Sequence, residues 1–345
     1  MMKRYDPRGA EFLRMGRFSK DEKACELWWS GSGIRMLLDC TRLEIEAEVA
    51  DGEHTPWLAV TVDGAPVARL PLAPGVRRYD LLGRMERGAL HEIAILRDTQ
   101  PTDADAAPLK LLAVYTDGVP VAPAPRPHLV EFLGDSLTVG EGTVGPTDAM
   151  EWRMIWISNQ FAFPTMVSER LNAEKRVIAL GGWGAYLSYD GNPEHAIGAI
   201  YDRLCAVVPG GEAAYDFSDQ REANAVVINL GTNDVSGLGL LPPERRAEGE
   251  AALEESAVRL MEQVRSRNPR ALILWAYGLC GNEVEATLRR AVERRRGAGD
   301  DNVRYLALDD CDGVMGSRSH PGRAAHARAA EKIVEALNTT SRRHT

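Results

Sequence analysis

Residues 129–142 read LVEFLGDSLTVGEG. The apolar run Leu129 to Leu133, carrying a β-branched and an aromatic residue, stops abruptly at Gly134-Asp135-Ser136. That is the pattern of a buried strand whose end presents one hydroxyl. Ser136 is therefore the candidate nucleophile. Asp-Ser after a strand also serves as an ordinary turn or helix cap, so the reading depends on what the rest of the chain supplies.

Downstream, strands alternate with helices. Leu129 to Leu133, Arg176 to Leu180, Ala225 to Leu230, Ala271 to Tyr277 and Val303 to Leu308 are apolar runs suited to strands buried on both faces. Amphipathic stretches lie between them, including Glu244 to Arg267 and Glu283 to Arg296. This alternation predicts a parallel sheet covered by helices on both sides. In such sheets the ligand crevice lies beyond the carboxyl ends of the strands. Ser136 follows the first strand, Gly181-Gly182-Trp183-Gly184 the second and Gly231-Thr232-Asn233-Asp234 the third, so three polar or glycine-rich turns converge on one edge.

Upstream, from Cys25 to Thr116, the pattern is different. GIRMLLD, RLEIEAEVA, WLAVTVDG, VARLPL, RRYDLL, HEIAILRD and LKLLAVYTDG are short β-type runs. Leu43 to Val49 alternates apolar and polar residues, giving one buried and one wet face. These runs predict an antiparallel sandwich, jelly-roll-like, with a hairpin turn at Asp63-Gly64. Trp28, Trp29 and Trp57 are read as core or interface packing in preference to a sugar platform, and His54 and His91 as surface or turn residues. Between Val119 and His128 the prolines 120, 123, 125 and 127 make a stiff extended segment unsuited to a sheet ladder. The domain boundary is placed near Pro125, giving 1–125 and 126–345, and the terminal TTSRRHT is expected to fray.

At 345 residues the chain has room for two cores, and 44% hydrophobic with 26% charged residues is a globular balance. The net charge of -9, from 41 basic and 50 acidic residues without a basic block, argues against nucleic acid or an anionic membrane surface as partner. A neutral small-molecule or oligosaccharide substrate fits better. The opening MMKRYDPRGAEFLRMGRF lacks an apolar h-region and no long apolar run occurs, so a soluble, cytoplasmic protein is expected. Five widely spaced cysteines without a CxxC pair indicate neither a disulfide framework nor a zinc site. No cofactor or metal is implied.

A serine hydroxyl needs a base to take its proton and donors for the oxyanion its attack creates. His320, in SRSHPG ahead of the final helix, is the candidate base. The candidate oxyanion donors are the backbone N–H groups of Ser136 and Gly182 and the side-chain amide of Asn233.

GDSLT, GGWG, GTND and SHPG, in that order, resemble the four signature blocks of the SGNH (GDSL) hydrolase family, over residues 129–337. The resemblance implies a flavodoxin-like three-layer α/β/α domain with Ser136 as nucleophile, His320 as base, and Gly182 and Asn233 as oxyanion donors. The sandwich ahead of it resembles the arrangement of carbohydrate esterase family 2, whose members deacetylate hemicellulose sugars. Family members commonly carry an Asp two or three residues before the histidine to orient the imidazole; here Ser317 and Arg318 stand there. The expected alternatives are a Ser-His dyad oriented by a backbone carbonyl, which is preferred, or a more distant acid, Asp310 or Asp312. The aromatic residue usual before the histidine in that subgroup is replaced by Ser319. The long connection Gly142 to Phe163, with Trp152 and Trp156, is expected to wall the site together with Trp183, or to pack in the core.

Other chemistries fit less well. GxGxxG at Gly140 to Gly145 starts too far past the strand for a dinucleotide fingerprint, and Pro146 follows it. Thr138 stands where the GxSxG elbow of an α/β-hydrolase needs glycine. No HExxH occurs, and Asp309, Asp310 and Asp312 lack calcium-loop spacing. The expectation is a serine esterase removing small acyl groups, foremost O-acetyl from oligosaccharides. A general short-chain esterase, an acyltransferase and a non-catalytic carbohydrate-binding protein are the alternatives.

Overall fold

The structure, a computed structural model, describes residues 1–20, 22–219, 221–311 and 313–341. It divides into two compact units. The first comprises Met1–Arg126, Arg153–Ile155 and Arg203–Asp216, the second Pro127–Trp152, Trp156–Asp202 and Phe217–Thr345.

The first unit holds ten strands: β1 (Lys3–Tyr5), β2 (Leu13–Met15), β3 (Cys25–Leu27), β4 (Gly33–Leu38), β5 (Leu43–Val49), β6 (Trp57–Val62), β7 (Ala65–Pro71), β8 (Gly75–Asp80), β9 (His91–Arg97) and β10 (Leu109–Thr116). They form two antiparallel sheets, one ordered β1-β10-β5-β8 with β3 also on β10, the other β2-β4-β9-β6-β7. Inward residues of both sheets, such as Leu43, Ile45 and Ala47 of β5 and Ile34, Met36 and Leu38 of β4, build one apolar core. That makes the unit a sandwich. On the other face of β5, Glu44 is nonetheless buried, because Arg42 (2.8 Å) and Arg78 (2.5 Å) both pair with it. The β6–β7 turn has Asp63 at φ 50° and Gly64 at φ 82°, the two positive angles a primed hairpin requires. Trp28 and Trp29 are buried, the Trp29 indole donating to the Leu204 carbonyl (2.7 Å). They are core residues and offer no exposed ring. His91 lies against Asp63 (2.6 Å).

Two expectations need amendment. Strands β1 to β3 went unrecognised because three-residue runs such as Lys3–Tyr5 carry too few positions to express a period. The proline-rich segment does touch a sheet: Val121, which unlike its proline neighbours has an N–H, exchanges two hydrogen bonds with Leu37 (2.8 and 3.0 Å).

In the second unit, β11 (His128–Gly134) leads into the single-turn α1 (Ser136–Val139), followed by α2 (Phe163–Arg170), β12 (Ala173–Ala179), α3 (Ile197–Ile200), β13 (Ala225–Asn229), α4 (Thr232–Gly239), α5 (Arg246–Arg267), β14 (Leu272–Tyr277), α6 (Glu285–Gly297), β15 (Val303–Ala307) and α7 (Arg323–Ser341). The sheet is wholly parallel, ordered β12-β11-β13-β14-β15. This is the flavodoxin-like order. Crossovers leave β11 in one direction and β13 in the other, so right-handed connections put their helices on opposite faces. Helices α2 and α7 accordingly pack on each other, as do α5 and α6. Helix α7 runs on to Ser341, so the fraying expected from Thr339 onward is not seen through Ser341, and residues 342–345 lie outside the described residues.

An inner strand, β11, carries a charge that the parallel sheet buries completely. Glu131 of β11 meets Arg176 of β12 at 2.7 Å and accepts a hydrogen bond from the Tyr201 hydroxyl at 2.7 Å. A buried carboxylate persists only when paired and hydrogen-bonded in this way. The order reverses between β11 and β13, which places a crevice at their carboxyl ends.

Candidate active site

Gly134 ends β11 where a Cβ would strike the Thr138 side chain and the Asn229 carbonyl. The chain can therefore turn at once into α1. Asp135 caps that turn, its carboxylate accepting from the Leu137 N–H (3.0 Å), and Ser136 becomes the first residue of α1. A short helix following a central strand lifts the hydroxyl into the crevice while most of the residue stays buried.

His320 arrives from the opposite end of the sequence. Its Nε2 lies 3.1 Å from Ser136 Oγ and its Nδ1 2.8 Å from the Arg318 carbonyl oxygen. The carbonyl can only accept, so Nδ1 carries the ring proton and Nε2 presents its lone pair to the serine. Arg318 (φ 55°, ψ 36°) and Ser319 (φ 52°) both adopt left-handed backbone, which folds that carbonyl back onto the ring. Such geometry costs on the order of 1 kcal/mol or more per residue and persists only where neighbours hold it. Here Arg318 N–H donates to the Ala149 carbonyl (2.7 Å), Gly316 N–H to the His320 carbonyl (2.7 Å) and the Ser317 hydroxyl to the Val144 carbonyl (3.1 Å). The orienting group is thus the backbone. Asp310 is engaged elsewhere, accepting from the Gly281 N–H (2.7 Å), and Asp312 lies outside the described residues.

The segment after α1 forms part of the wall. Gly142, at φ +81°, passes so close that a Cβ there would sit 2.5 Å from the His320 Cβ, and Gly145 runs under the Trp156 ring. The glycines of the GxGxxG string are spent on these close approaches.

The turns after β12 and β13 are stapled together by Asp234. Fully buried at the start of α4, it accepts from the N–H groups of Ala185 (2.8 Å), Tyr186 (2.7 Å) and Leu187 (2.9 Å). Burial raises its pKa while those donors oppose the rise. Beside it the Asn233 amide donates to the Trp183 carbonyl (2.8 Å) and, over a longer 3.3 Å, to the Asp135 carboxylate. Burial, with Asp234 and Glu141 nearby, pushes the Asp135 carboxyl up to about 7. Gly182 sits in the same turn at φ +85°, its carbonyl accepting from the Tyr189 N–H (3.0 Å). Of the four sequence-predicted residues, Ser136 and Asn233 stand in the first turns of the helices that follow β11 and β13, Gly182 on the turn after β12 and His320 just ahead of α7.

Three residues escaped the sequence reading. Asp234 was visible as the last letter of GTND, but its role needs three partners from another loop. Tyr189 is 62% exposed, its ring within 3.0 Å of where a Gly182 Cβ would be, while Trp183 is stacked on His195 (4.8 Å between centroids, 20°). Glu141, four per cent exposed, lies 3.9 Å from His320 Nε2.

Fold and site together define a flavodoxin-like α/β domain with a Ser-His pair at its crevice, preceded by an antiparallel sandwich. The arrangement is similar to that of solved family two carbohydrate esterases, and residues 14–125 match the family described as carbohydrate esterase 2 N-terminal. The chain is 27% identical to cellulase/esterase CelE of Acetivibrio thermocellus over 337 residues, 93% of this chain and 38% of CelE. It is also 27% identical to an acetylxylan esterase/glucomannan deacetylase of Cellvibrio japonicus over 259 residues, 72% of this chain and 66% of that protein. The chain thus spans less than two thirds of either relative. Among solved structures, the acetyl xylan esterase Est2A of Butyrivibrio proteoclasticus superposes with a TM-score of 0.92 at 25% identity, covering 98% of each chain.

Proposed function

We propose that the chain is a serine esterase that removes acetyl groups from O-acetylated oligosaccharides of the xylan and glucomannan type. The observation that carries this reading is the 3.1 Å approach of His320 Nε2 to Ser136 Oγ with Nδ1 fixed on a backbone carbonyl. The names borne by the relatives support the acetyl-sugar substrate.

In this reading Ser136 Oγ attacks the acetyl carbonyl carbon as His320 Nε2 takes its proton. The carbonyl π electrons move to oxygen, and that oxyanion receives hydrogen bonds from the N–H groups of Ser136 and Gly182 and from Asn233. The long Asn233–Asp135 contact is the one an oxyanion displaces. Asp135 keeps the hydrogen bond from the Leu137 N–H when that contact is lost. Collapse of the intermediate breaks the bond to the sugar oxygen, which leaves with the proton from Nε2 as a free hydroxyl. Water, deprotonated by the same nitrogen, then frees acetate and restores Ser136. The exposed Tyr189 face beside Gly182 suits the apolar face of a sugar ring next to the ester.

The test is acetate release by the purified chain from acetylated xylan and glucomannan oligosaccharides compared with 4-nitrophenyl acetate. A higher kcat/KM on the sugar esters is expected. Cleavage of the aryl ester alone would retain an esterase and discard the sugar substrate.

A further inference from the structure

The acyl transfer just proposed gives His320 a positive charge, yet places only a neutral carbonyl at Nδ1. A carbonyl dipole offsets a full charge less well than the carboxylate found there in a Ser-His-Asp triad. Among the described residues, the one carboxylate within 4 Å of a His320 ring nitrogen is Glu141. It follows α1 directly, and its N–H donates to the Ser136 carbonyl (2.9 Å), so it is built on the same short segment as the nucleophile. Its Oε2 is 3.9 Å from Nε2, and its Oε1 is 3.2 Å from the Arg318 guanidinium. Glu141 Oε1 and Arg318 Nη1 are buried and meet without a formal hydrogen bond, as charge against charge.

We infer that Glu141 is a positioning residue that supplies, from the Nε2 side of the ring, the counter-charge to the His320 imidazolium. Arg318 holds Glu141 back from Nε2, whose hydrogen-bond partner remains Ser136. Arg318 thus serves the histidine twice, through its carbonyl at Nδ1 and through its side chain on Glu141. Proton transfer from Ser136 adds the charge that Glu141 then meets from a buried position. This inference rests on the reading of Ser136 and His320 as the acyl-transfer pair.

The other ionisable groups around the ring act less directly. Asp135, at the end of β11, interacts with Glu141. His326, on α7, is fully buried and its pKa is held down to about 3, chiefly by burial, so it stays neutral at working pH. Arg323, in the first turn of α7, lies over the Phe161 ring and donates to the Thr143 carbonyl (2.8 Å). Asp234 is enclosed by its three N–H donors.

An adjacent carboxylate favours the charged imidazole, so its removal lowers the His320 pKa, and removal of the nearby cation raises it. The experiment follows the His320 ring by NMR in chain labelled at histidine, with His320→Gln identifying its signal, in wild type, Glu141→Gln, Glu141→Asp and Arg318→Met. Glu141→Gln is expected to lower the pKa by about one unit, with the acid limb of kcat/KM moving the same way and its plateau dropping roughly tenfold. Glu141→Asp should recover part of both, and Arg318→Met should shift the pKa upward. A purely structural ion pair would lower the melting temperature of Glu141→Gln and leave the titration within about 0.2 units of wild type, which overturns the inference. If Glu141→Gln does not fold, absence of an upward shift in Arg318→Met overturns it instead. The titration needs no turnover, so failure of the esterase reading would show separately, as acetate release that is absent or independent of Ser136.

Discussion

Ser136→Ala is expected to lose acetate release by a factor on the order of 10⁴ or more, as removal of a serine nucleophile does in hydrolases of this mechanism. The hydroxyl has no substitute in the site. His320, which bonds it, needs a nucleophile to deprotonate, and Glu141 is held on Arg318. The fold should be unaffected, because the replaced atom bonds to His320 and α1 is capped independently by Asp135. Steady-state acetate assays together with thermal unfolding check both halves. Turnover within tenfold of wild type in a folded Ser136→Ala chain would remove Ser136 from the reaction.

Asn233→Ala should cost on the order of 10²- to 10³-fold in kcat with a smaller change in KM, since an oxyanion donor acts mainly in the transition state. The same side chain also ties the Trp183 carbonyl at 2.8 Å, so a stability loss of about 1 kcal/mol should accompany it. The two effects separate experimentally. The kinetic loss persists well below the melting temperature, whereas a loss caused only by loosening of the Gly182 turn would diminish on cooling. Unchanged kcat in a folded variant would strip Asn233 of the donor role.

The parallel domain was legible because strands buried on both faces leave uninterrupted apolar runs, and all five fell where Leu129 to Leu133 and its successors indicated. Seven sandwich strands were legible for a related reason: runs such as β5 keep a strict alternation of inward Leu43, Ile45, Ala47 and outward glutamates. The hairpin at Asp63-Gly64 was written in residues that tolerate positive φ. Short local motifs likewise singled out Ser136 and His320, which the fold places 3.1 Å apart, and Asn233, whose amide reaches the Asp135 carboxylate beside Ser136. What stayed hidden depends on partners remote in the chain. Nothing about Glu141 in the sequence shows that Arg318 will reach it, and nothing about Arg318 shows that a left-handed backbone will aim its carbonyl at His320. The missing Asp pointed to a backbone carbonyl in its place, but that the carbonyl is Arg318's has no side-chain signature.

The most direct test of the account is covalent trapping of the nucleophile. The purified chain would be treated with an alkyl fluorophosphonate, which phosphonylates an activated serine with loss of fluoride, and the site mapped by peptide mass spectrometry. One adduct on Ser136 is predicted, formed in step with loss of esterase activity and strongly slowed in His320→Ala. An inactivated chain carrying its adduct on another residue, or an active chain that leaves Ser136 unmodified, would contradict the Ser136–His320 mechanism.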